Sequence, residues 1–354
     1  MIVWVTGGAG FIGSSFLLRQ VPRAPSWRFV NVDKLTYAAN PRSLEAIATR
    51  DNYRLARVDI CDFDALDRLA AEEPPDVIVH FAAESHVDRS ILGPREFVRT
   101  NVEGTFHLLE IARKHWRPSL GADLRGRVFH HVSTDEVYGS LGDTGAFRED
   151  TRYDPSSPYS ATKAASDHLV RAYARTYGLP TRVTNCSNNY GPRQFPEKLV
   201  PLMILHMLVR KPLPIYGKGA NVRDWLFVDD HADAIWTVLE RGVNGETYNV
   251  GGHNERTNLE VVDTLCALVA KHTGVSTEEL LALKTFVADR PGHDLRYAID
   301  ASKIERELGW APAETFETGM DKTVRWYLEN QAWVASVQSG EYLKWIETNY
   351  GERG

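Results

Sequence analysis

The first thirteen residues restrict the fold more than any other part of the chain. A β-branched run at 2–6, IVWVT, leads directly into the turn GGAGFIG and then into a helical pattern. Strand, glycine-rich turn and helix in this order are typical of the first βαβ unit of a parallel sheet. The chain is therefore predicted to begin with a strand of such a sheet.

Short apolar runs and longer amphipathic stretches continue to alternate through the first half. This alternation predicts an α/β fold, a Rossmann-type doubly wound parallel sheet with helices on both faces. Strands are predicted at 2–6, 28–33, 53–58, 77–81, 127–133 and 181–186, and helices at 12–20, 41–50, 62–73, 94–115 and 157–177. Ligands of such sheets bind at the carboxyl ends of the strands.

The second half is less regular and predicts a smaller mixed C-terminal domain for the substrate. We expect a nucleotide-binding domain at 1–187, with returns of the chain near 224–250, and a substrate domain at 188–354. The patterns predict helices at 196–211, 229–241, 257–273 and 315–331, and strands near 213–216, 224–228, 246–250 and 284–288. Loops are expected at 117–126 and at 140–158, the latter long enough for a lid.

Composition excludes several classes of protein. The 354 residues carry a formal charge of −6, which argues against a nucleic-acid binder. No apolar run is long enough to span a membrane, and the strand-like start leaves no room for a signal segment. Cys61, Cys186 and Cys266 have no metal-ligand spacing, and we interpret them as free thiols. We expect a cytoplasmic protein without a metal site.

The turn after the first strand carries two overlapping glycine motifs. Gly8, Gly10 and Gly13 match G-x-G-x-x-G, and Gly7 with Gly10 and Gly13 matches a G-x-x-G-x-x-G variant. Glycines allow the backbone to turn sharply and to approach a pyrophosphate at the positive end of a helix. The motif therefore indicates a dinucleotide site.

Asp33 ends the second predicted strand, twenty residues after Gly13. An acid there can accept hydrogen bonds from the adenosine ribose and repels a 2′-phosphate, which favours NAD over NADP, although Lys34 acts in the opposite direction. Two alternatives stay open. Asp33 could only begin a turn, and Asp59, after the third strand, could either close the adenine side or cap a helix.

Tyr159 and Lys163 are spaced one helical turn apart and project from one helix face. A free phenol has a pKa of about 10 and is a poor base at neutral pH. An ammonium group beside it, with a positive nicotinamide nearby, is expected to lower that pKa. The pair, with the Thr134 hydroxyl, would then take a proton from an alcohol while hydride leaves for NAD.

Asp135 and Glu136 follow Thr134 where the fifth predicted strand ends. Oxidation of an alcohol does not need them. They add two proton-transfer groups, one for a C–H proton and one for a leaving hydroxyl, and their mutual repulsion favours keeping one protonated. The alternative, that both only cap the following turn, stays open from the local sequence.

Nine segments resemble one known family. They are GGAGFIGS, DKLTYAAN, HFAAESHVDRS, TNVEGT, STDEVYGS, YSATKAASD, NCSNNYGPRQFPEKLVP, RDWLFVDDH and RPGHDLRY, in this order. Together they resemble the extended short-chain dehydrogenase/reductases, and within them the dTDP-glucose 4,6-dehydratases. The resemblance is specific at the acid pair, because related 4-epimerases and decarboxylases lack acids at both positions and GDP-mannose 4,6-dehydratases keep only the glutamate.

The resemblance implies a hydro-lyase that converts dTDP-glucose to dTDP-4-keto-6-deoxyglucose. The steps are oxidation at C4, elimination of water across C5 and C6, and hydride return to C6, with tightly bound NAD regenerated. Tyr159 would deprotonate the 4-hydroxyl, with Lys163 on the nicotinamide ribose and Thr134 on the 4-oxygen. Glu136 would remove the C5 proton and Asp135 would protonate the departing 6-hydroxyl.

The same resemblance implies binding residues. Those for NAD are Gly7, Gly10, Phe11, Ile12, Gly13, Asp33, Lys34, Leu35, Thr36, Asp59, Ile60, Phe81, Ala82, Ala83, Ser85, Thr100, Tyr159, Lys163 and Asn189. Those for the substrate are Ser85, Thr134, Asn188, Lys198, Leu199, Pro214, Tyr216, Arg223, Asn258, Asp294 and Tyr297. An ion pair of Arg223 with Asp224 or Asp229 on the surface is the alternative for that residue.

Helix 95–115 carries an apolar stripe, which either belongs to the core or forms a homodimer seam with the Tyr159 helix, as the family suggests. The chain departs from the family pattern at AAN, 38–40, and at Leu295, where an arginine is frequent. Two rival functions stay open: an NAD-dependent UDP-sugar 4-epimerase or decarboxylase, against which the acid pair argues, and a non-catalytic NAD sensor, against which the intact Thr134, Tyr159 and Lys163 argue.

Overall fold

Seven parallel strands form the central sheet in the computed structural model, which describes residues 1–117 and 123–338. They are β1 (Ile2–Thr6), β2 (Arg28–Val32), β3 (Tyr53–Ala56), β4 (Val77–His80), β5 (Val128–Thr134), β6 (Thr181–Cys186) and β10 (Thr247–Val250). The order is β10-β6-β5-β4-β1-β2-β3, so the direction of winding reverses between β1 and β4. The predicted doubly wound fold is confirmed, and a crevice at this switch point is the expected ligand site.

Helices cover both faces of this sheet. They are α1 (Phe11–Arg23), α2 (Phe63–Glu72), α3 (Val87–Leu92), α4 (Pro94–Phe97), α5 (Gly104–Trp116), α6 (Pro158–Tyr177) and α8 (Val228–Arg241). Alternate residues of a strand point to opposite faces. Accordingly Val3 and Val5 pack with α1 and α8, whereas Trp4 packs with α2 and α5.

Two predicted helices have a different form. The stretch predicted at 41–50 is a 3₁₀ helix, Pro41–Ile47, because Pro41 lies at its start and the Asn40 side chain accepts from the Arg42 amide. The stretch predicted at 94–115 divides into α4, a π-helical segment Val98–Glu103, and α5. Within that segment Asn101 bonds both the N–H and the C=O of Glu84, which ties the helix to the loop after β4.

The second part of the chain has its own core. A three-stranded sheet contains β7 (Asn188–Tyr190), β9 (Val222–Phe227) and β11 (Glu255–Thr257), and β8 (Leu213–Tyr216) pairs with β12 (Lys284–Val287). The helices are α7 (Leu199–Leu208), α9 (Asn258–Thr273), α10 (Thr277–Leu281), α11 (Ser302–Leu308), α12 (Phe316–Glu329) and α13 (Gln331–Val337). Among the predicted returns near 224–250, β10 joins the main sheet, whereas β9 stays in the smaller one.

The loop predicted as a lid is tied down along its length. Phe147 donates to the carbonyl of Ala298 at 2.8 Å and accepts from the amide of Asp300 at 2.8 Å, and Leu141 donates to the carbonyl of Arg296 at 3.0 Å. Residues 118–122 of the other predicted loop, and 339–354 of the predicted second domain, lie outside the described residues. Within residues 1–117 and 123–338, no helix has the length and apolar character that spanning a bilayer requires.

Candidate active site

A cavity lies at the carboxyl ends of β1, β2, β4, β5 and β6, where the winding of the sheet reverses. The glycine turn forms its floor. Gly7 has φ +69°, and a Cβ there would lie 2.7 Å from the Ala82 backbone nitrogen. A Cβ on Gly13 would lie 2.4 Å from the Gly7 carbonyl oxygen. Both positions therefore require glycine, and they bring the start of α1 against the loop after β4.

The start of α1 suits an anionic group. Among the described residues no side chain caps this helix, whose first residue is Phe11. The first amides of a helix lack intrahelical acceptors, and the helix dipole favours negative charge there. The geometry is that of a pyrophosphate site.

Asp33 both supports the turn and faces the cavity. Its carboxylate accepts from the Ala9 amide at 2.9 Å and from the Leu35 amide at 2.8 Å. Asp33 therefore does help to form the turn, as the alternative proposed. Its carboxylate still has free acceptor sites for a ligand, so the two roles are compatible. The Lys34 ammonium lies 3.5 Å from the Asp59 carboxylate, whose negative charge offsets the positive charge of Lys34. The arrangement favours ribose hydroxyls over a 2′-phosphate.

The structure brings together all but one of the side chains predicted to bind NAD. Leu35 does not line the cavity and packs in the core near α1. The others line it: Gly7, Gly10, Phe11, Ile12, Gly13, Asp33, Lys34, Thr36, Asp59, Ile60, Phe81, Ala82, Ala83, Ser85, Thr100, Tyr159, Lys163 and Asn189. Thr100 Oγ1 and Ser187 Oγ are buried there and have no hydrogen-bond partner among the described residues. Such atoms fit a polar ligand.

Thr134, Tyr159 and Lys163 share the deep end of the cavity. Ser157 caps α6, which presents Tyr159 and Lys163 to the end of β5, and Lys163 donates to the Val132 carbonyl at 2.9 Å. Burial, followed by the charge of Glu136, raises the pKa of Tyr159, while contact with Thr134 lowers it. The expected lowering of this pKa includes the charge of a bound nicotinamide and stays a prediction, whereas in the protein chain alone burial outweighs the neighbouring groups.

Asp135 and Glu136 begin a short 3₁₀ turn, Asp135–Tyr138, whose cap is the Thr134 hydroxyl. Burial and then Glu136 raise the pKa of Asp135 well above its usual range, and its Oδ2 has no hydrogen-bond partner in the described structure. Burial also raises the pKa of Glu136, although three cations lower it. A protonated Asp135 beside Glu136 fits an acid and base pair.

The three cations that act on Glu136 are Arg290, Arg223 and Lys198. Arg223 is 4% exposed, so the surface ion pair considered for it is wrong. Its guanidinium donates to the Asp294 carbonyl at 2.9 Å and lies over the ring of Tyr297. These cations form a positively charged wall beside the acid pair, which suits a diphosphate.

The residues predicted to bind substrate divide into two groups. Ser85, Thr134, Asn188 and Lys198 line the main cavity, whereas Leu199, Pro214, Tyr216, Arg223, Asn258, Asp294 and Tyr297 do not. In the second group, Tyr297 donates to Asp294 and packs under Arg223. Pro214 and Tyr216 lie on β8, Leu199 starts α7, and Asn258 starts α9. Their binding roles stay predictions.

Several cavity residues were missed from the sequence: Tyr37, Glu84, Cys186, Ser187, Gln194 and Glu197. Arg290 was missed too, and it pairs with Asp88 at 3.4 Å, which in turn accepts from the Tyr216 hydroxyl at 2.9 Å. Arg290 stands in the segment RPGHDLRY, so that motif was the available signal. Leu295 bonds through its backbone, accepting from Arg223 and donating to Ser140, and any residue can supply such bonds.

Comparisons with known proteins identify the relatives of this chain. The family model described as GDP-mannose 4,6 dehydratase matches residues 4–323. The dTDP-glucose 4,6-dehydratase of Neisseria meningitidis serogroup B is 58% identical over 346 residues, covering 96% of this chain and 97% of that protein. Its namesake from Salmonella typhimurium is 56% identical over 363 residues, covering 100% of both. The structure of dTDP-glucose 4,6-dehydratase from Bacillus anthracis in complex with NAD has a TM-score of 0.85 and 45% identity, covering 96% of this chain and 100% of that chain.

Proposed function

The chain belongs to the GDP-mannose 4,6 dehydratase family, and from this premise we propose that it is a hydro-lyase that dehydrates dTDP-glucose to dTDP-4-keto-6-deoxyglucose with NAD as its cofactor. The named relatives at 56–58% identity support dTDP-glucose as the sugar nucleotide. The observation that carries the proposal is the adjacent pair of the buried Asp135 and the half-buried Glu136 in one cavity with Thr134, Tyr159 and Lys163. An epimerase or an NAD sensor has no use for both acids.

Each residue of the site has one task in this reaction. NAD, when bound, would supply the acceptor for the hydride of the sugar C4 and the donor of hydride to C6. Tyr159 takes the proton of the 4-hydroxyl, Thr134 bonds the 4-oxygen, and Lys163 holds the ribose. The 4-ketone makes the C5 proton acidic. Glu136 removes that proton and Asp135 gives its own to the leaving 6-hydroxyl, so that one water departs. When hydride returns to C6, C5 regains a proton, which exchanges with solvent.

The positive wall supplies the binding of the nucleotide. Arg223, Arg290 and Lys198 would hold the diphosphate, with the base toward Tyr216 on β8. This placement leaves the glucosyl group between the wall and Tyr159, next to Glu136. It is supported by the direction in which the three cations shift the pKa of Glu136.

A test in heavy water distinguishes the candidate functions. We expect dTDP-glucose to lose one water and to gain solvent deuterium at C5, as measured by mass spectrometry and NMR. UDP-glucose, tested in the same way, shows whether the enzyme prefers thymine over uracil in the nucleotide. An unchanged mass with inverted C4 would instead identify an epimerase, and no turnover of any sugar nucleotide would favour the sensor.

The bracket formed by Tyr37, Arg89 and Glu197 predicts how NAD is retained. Arg89 donates to Glu197 at 3.0 Å, Tyr37 donates to the same carboxylate at 3.3 Å, and the guanidinium lies 4.0 Å from the centre of the Tyr37 ring. The bracket joins the loop after β2 to the segment before α7, across the cavity. We expect Glu197→Gln to speed NAD dissociation by roughly tenfold or more, since hydrogen bonds to charged groups contribute about 1.5–3 kcal/mol.

Release of the cofactor is measured by its fluorescence after reduction, or by exchange with labelled NAD. Glu73→Gln is the matched control, because Glu73 likewise pairs with arginine side chains, those of Arg28 and Arg54, but lies away from the cavity. Equal dissociation rates for Glu197→Gln and the unaltered protein would contradict a retaining role.

The oligomeric state and location follow from the same proposal. In the stripe predicted on helix 95–115, Phe97 and Leu109 are buried, whereas Val98 is 53% and Phe106 is 41% exposed. Phe97 and Leu109 therefore belong to the core, and the exposed Val98 and Phe106 support a homodimer through α5 and α6, which pack side by side.

A cytoplasmic location fits an enzyme that needs NAD and a nucleotide sugar.

A further inference from the structure

Asp167 is a carboxylate buried without any exposure on α6, one helical turn after Lys163. Its Oδ2 accepts from Ser133 Oγ at 2.9 Å, from the Tyr153 hydroxyl at 2.8 Å and from Asn185 Nδ2 at 3.3 Å. Its Oδ1 lies 3.1 Å from Nε2 of His131. The reaction described above gives this group no task, yet burying a carboxylate is costly unless it is well bonded.

These partners lie directly behind the reacting groups. Ser133 precedes Thr134 on β5, and Asn185 on β6 donates to the Thr134 carbonyl at 3.0 Å. Because the chain continues from Thr134 into the acid pair, the carboxylate of Asp167 fixes the strand end that carries all three reacting side chains. Through Tyr153, Asp167 also holds the segment that precedes α6. The Tyr153 hydroxyl in turn accepts a hydrogen bond from Arg171 at 2.8 Å.

Charge connects Asp167 to Lys163. Burial lowers the pKa of Lys163, and the negative charge of Asp167 opposes that change. The pKa of Asp167 is itself lowered, because contact with His131, the charge of Lys163 and the bond from Ser133 together outweigh burial. The carboxylate is therefore ionised at neutral pH.

The other titratable groups around this pair come from every element packed against it. They are His80 on β4, His131 on β5, Asp135 and Tyr138 after it, Tyr153 before α6, Tyr159 and Arg171 on α6, and Cys186 on β6. Burial lowers the pKa of His131 to about 4 and lowers that of His80, so both are neutral at pH 7. Burial raises the pKa of Asp135 and of Cys186, so neither adds a negative charge. Among the described residues, Asp167 is thus the carboxylate whose negative charge acts on Lys163.

We propose that Asp167 is a positioning residue that keeps the Lys163 ammonium charged inside the site and holds the end of β5 in place. The proposal rests on the proposed function, since it assigns Asp167 to the alcohol-oxidising step. A charged Lys163 favours the Tyr159 phenolate. Without the Asp167 charge Lys163 loses its proton at a lower pH, so the phenolate is less favoured and the pKa of the Tyr159 base rises.

The test is the pH dependence of turnover in Asp167→Asn, which keeps the shape of the side chain. We expect the ascending limb of the pH profile of kcat to move up by about one pH unit. On the limb this shift lowers kcat by about tenfold at a given pH, and kcat recovers at higher pH. Formation of reduced cofactor in a single turnover is expected to show the same shift. Asp167→Ser serves in its place if the amide variant does not fold.

Two control variants separate charge from structure. Tyr153→Phe removes one bond to the same carboxylate but leaves its charge, and Asp230→Asn removes a buried carboxylate on α8 that accepts from the Glu314 amide. Both are expected to keep the limb where the unaltered enzyme has it. A limb that stays in place in Asp167→Asn, with kcat lowered equally at every pH, overturns the proposal. Failure of the unaltered protein to dehydrate dTDP-glucose would instead overturn the proposed function.

Discussion

The double variant Asp135→Asn with Glu136→Gln is expected to reduce its bound NAD in the presence of dTDP-glucose and to release no dehydrated sugar. Thr134, Tyr159 and Lys163 are intact in it, so oxidation at C4 can proceed. The two amides keep the shape of the acids but can neither remove the C5 proton nor protonate the leaving hydroxyl. Each positioned proton transfer contributes roughly 10²–10⁴ in rate, so we expect turnover to fall by at least about 10⁴.

The expected stability of the double variant separates loss of chemistry from unfolding. Burial raises the pKa of both Asp135 and Glu136, which means that the folded state disfavours their charged forms at neutral pH. Neutral amides remove this cost, so the melting temperature of the double variant is expected to be equal or higher. The sign follows from the raised pKa values: the cost is fully present above the folded pKa, decreases as the pH falls below it, and is absent below the pKa of the unfolded state.

The measurements are absorbance at 340 nm for reduced cofactor and mass spectrometry for the sugar. Asp229→Asn with Asp230→Asn is the matched control, because it neutralises another adjacent acid pair at the start of α8, outside the cavity. Normal water loss in the Asp135 and Glu136 variant would refute their assignment as acid and base.

Tyr159→Phe is expected to stop the reaction one step earlier. Without the phenol no group takes the proton of the 4-hydroxyl, so neither reduced cofactor nor product accumulates, and kcat falls by about 10²–10⁴. The variant should bind dTDP-glucose about as tightly as the unaltered protein, since the ring and the positive wall remain. Loss of NAD reduction therefore separates this variant from the double amide.

Tyr190→Phe is the control for a lost buried hydroxyl. Tyr190 is completely buried and donates to the Phe316 carbonyl at 3.4 Å, in the core of the second part of the chain. Rapid formation of reduced cofactor in Tyr159→Phe would exclude the phenol as the base.

The sequence predicts the first half well because its signals are local. Gly13 reflects a close backbone approach to Gly7 within one strand–turn–helix unit, and the spacing of Tyr159 and Lys163 is a property of one helix. The 3₁₀ helix at Pro41–Ile47 and the π-helical Val98–Glu103 were not predictable in the same way. Their form depends on caps and on bonds to other loops.

The positive wall was harder to predict, because distant segments form it. Arg290 reaches Asp88, about two hundred residues earlier in the chain, and Asp88 also holds Tyr216. Only the fold brings these segments together. The pKa of Tyr159 is a similar case, since its direction depends on how far the phenol is buried.

The position of β10 limits how this protein can be recombined with its relatives. After β6 the chain builds part of the second core, then returns through α8, which packs on α1, and β10, which pairs with β6. A fragment ending at 187 would leave the β6 edge unpaired and the face of α1 that contacts Ala232 and Ile235 uncovered. A graft that exchanges nucleotide specificity must therefore replace two separate segments, one before and one after residues 228–250. Residues 228–250 themselves must stay with the main sheet to which they belong.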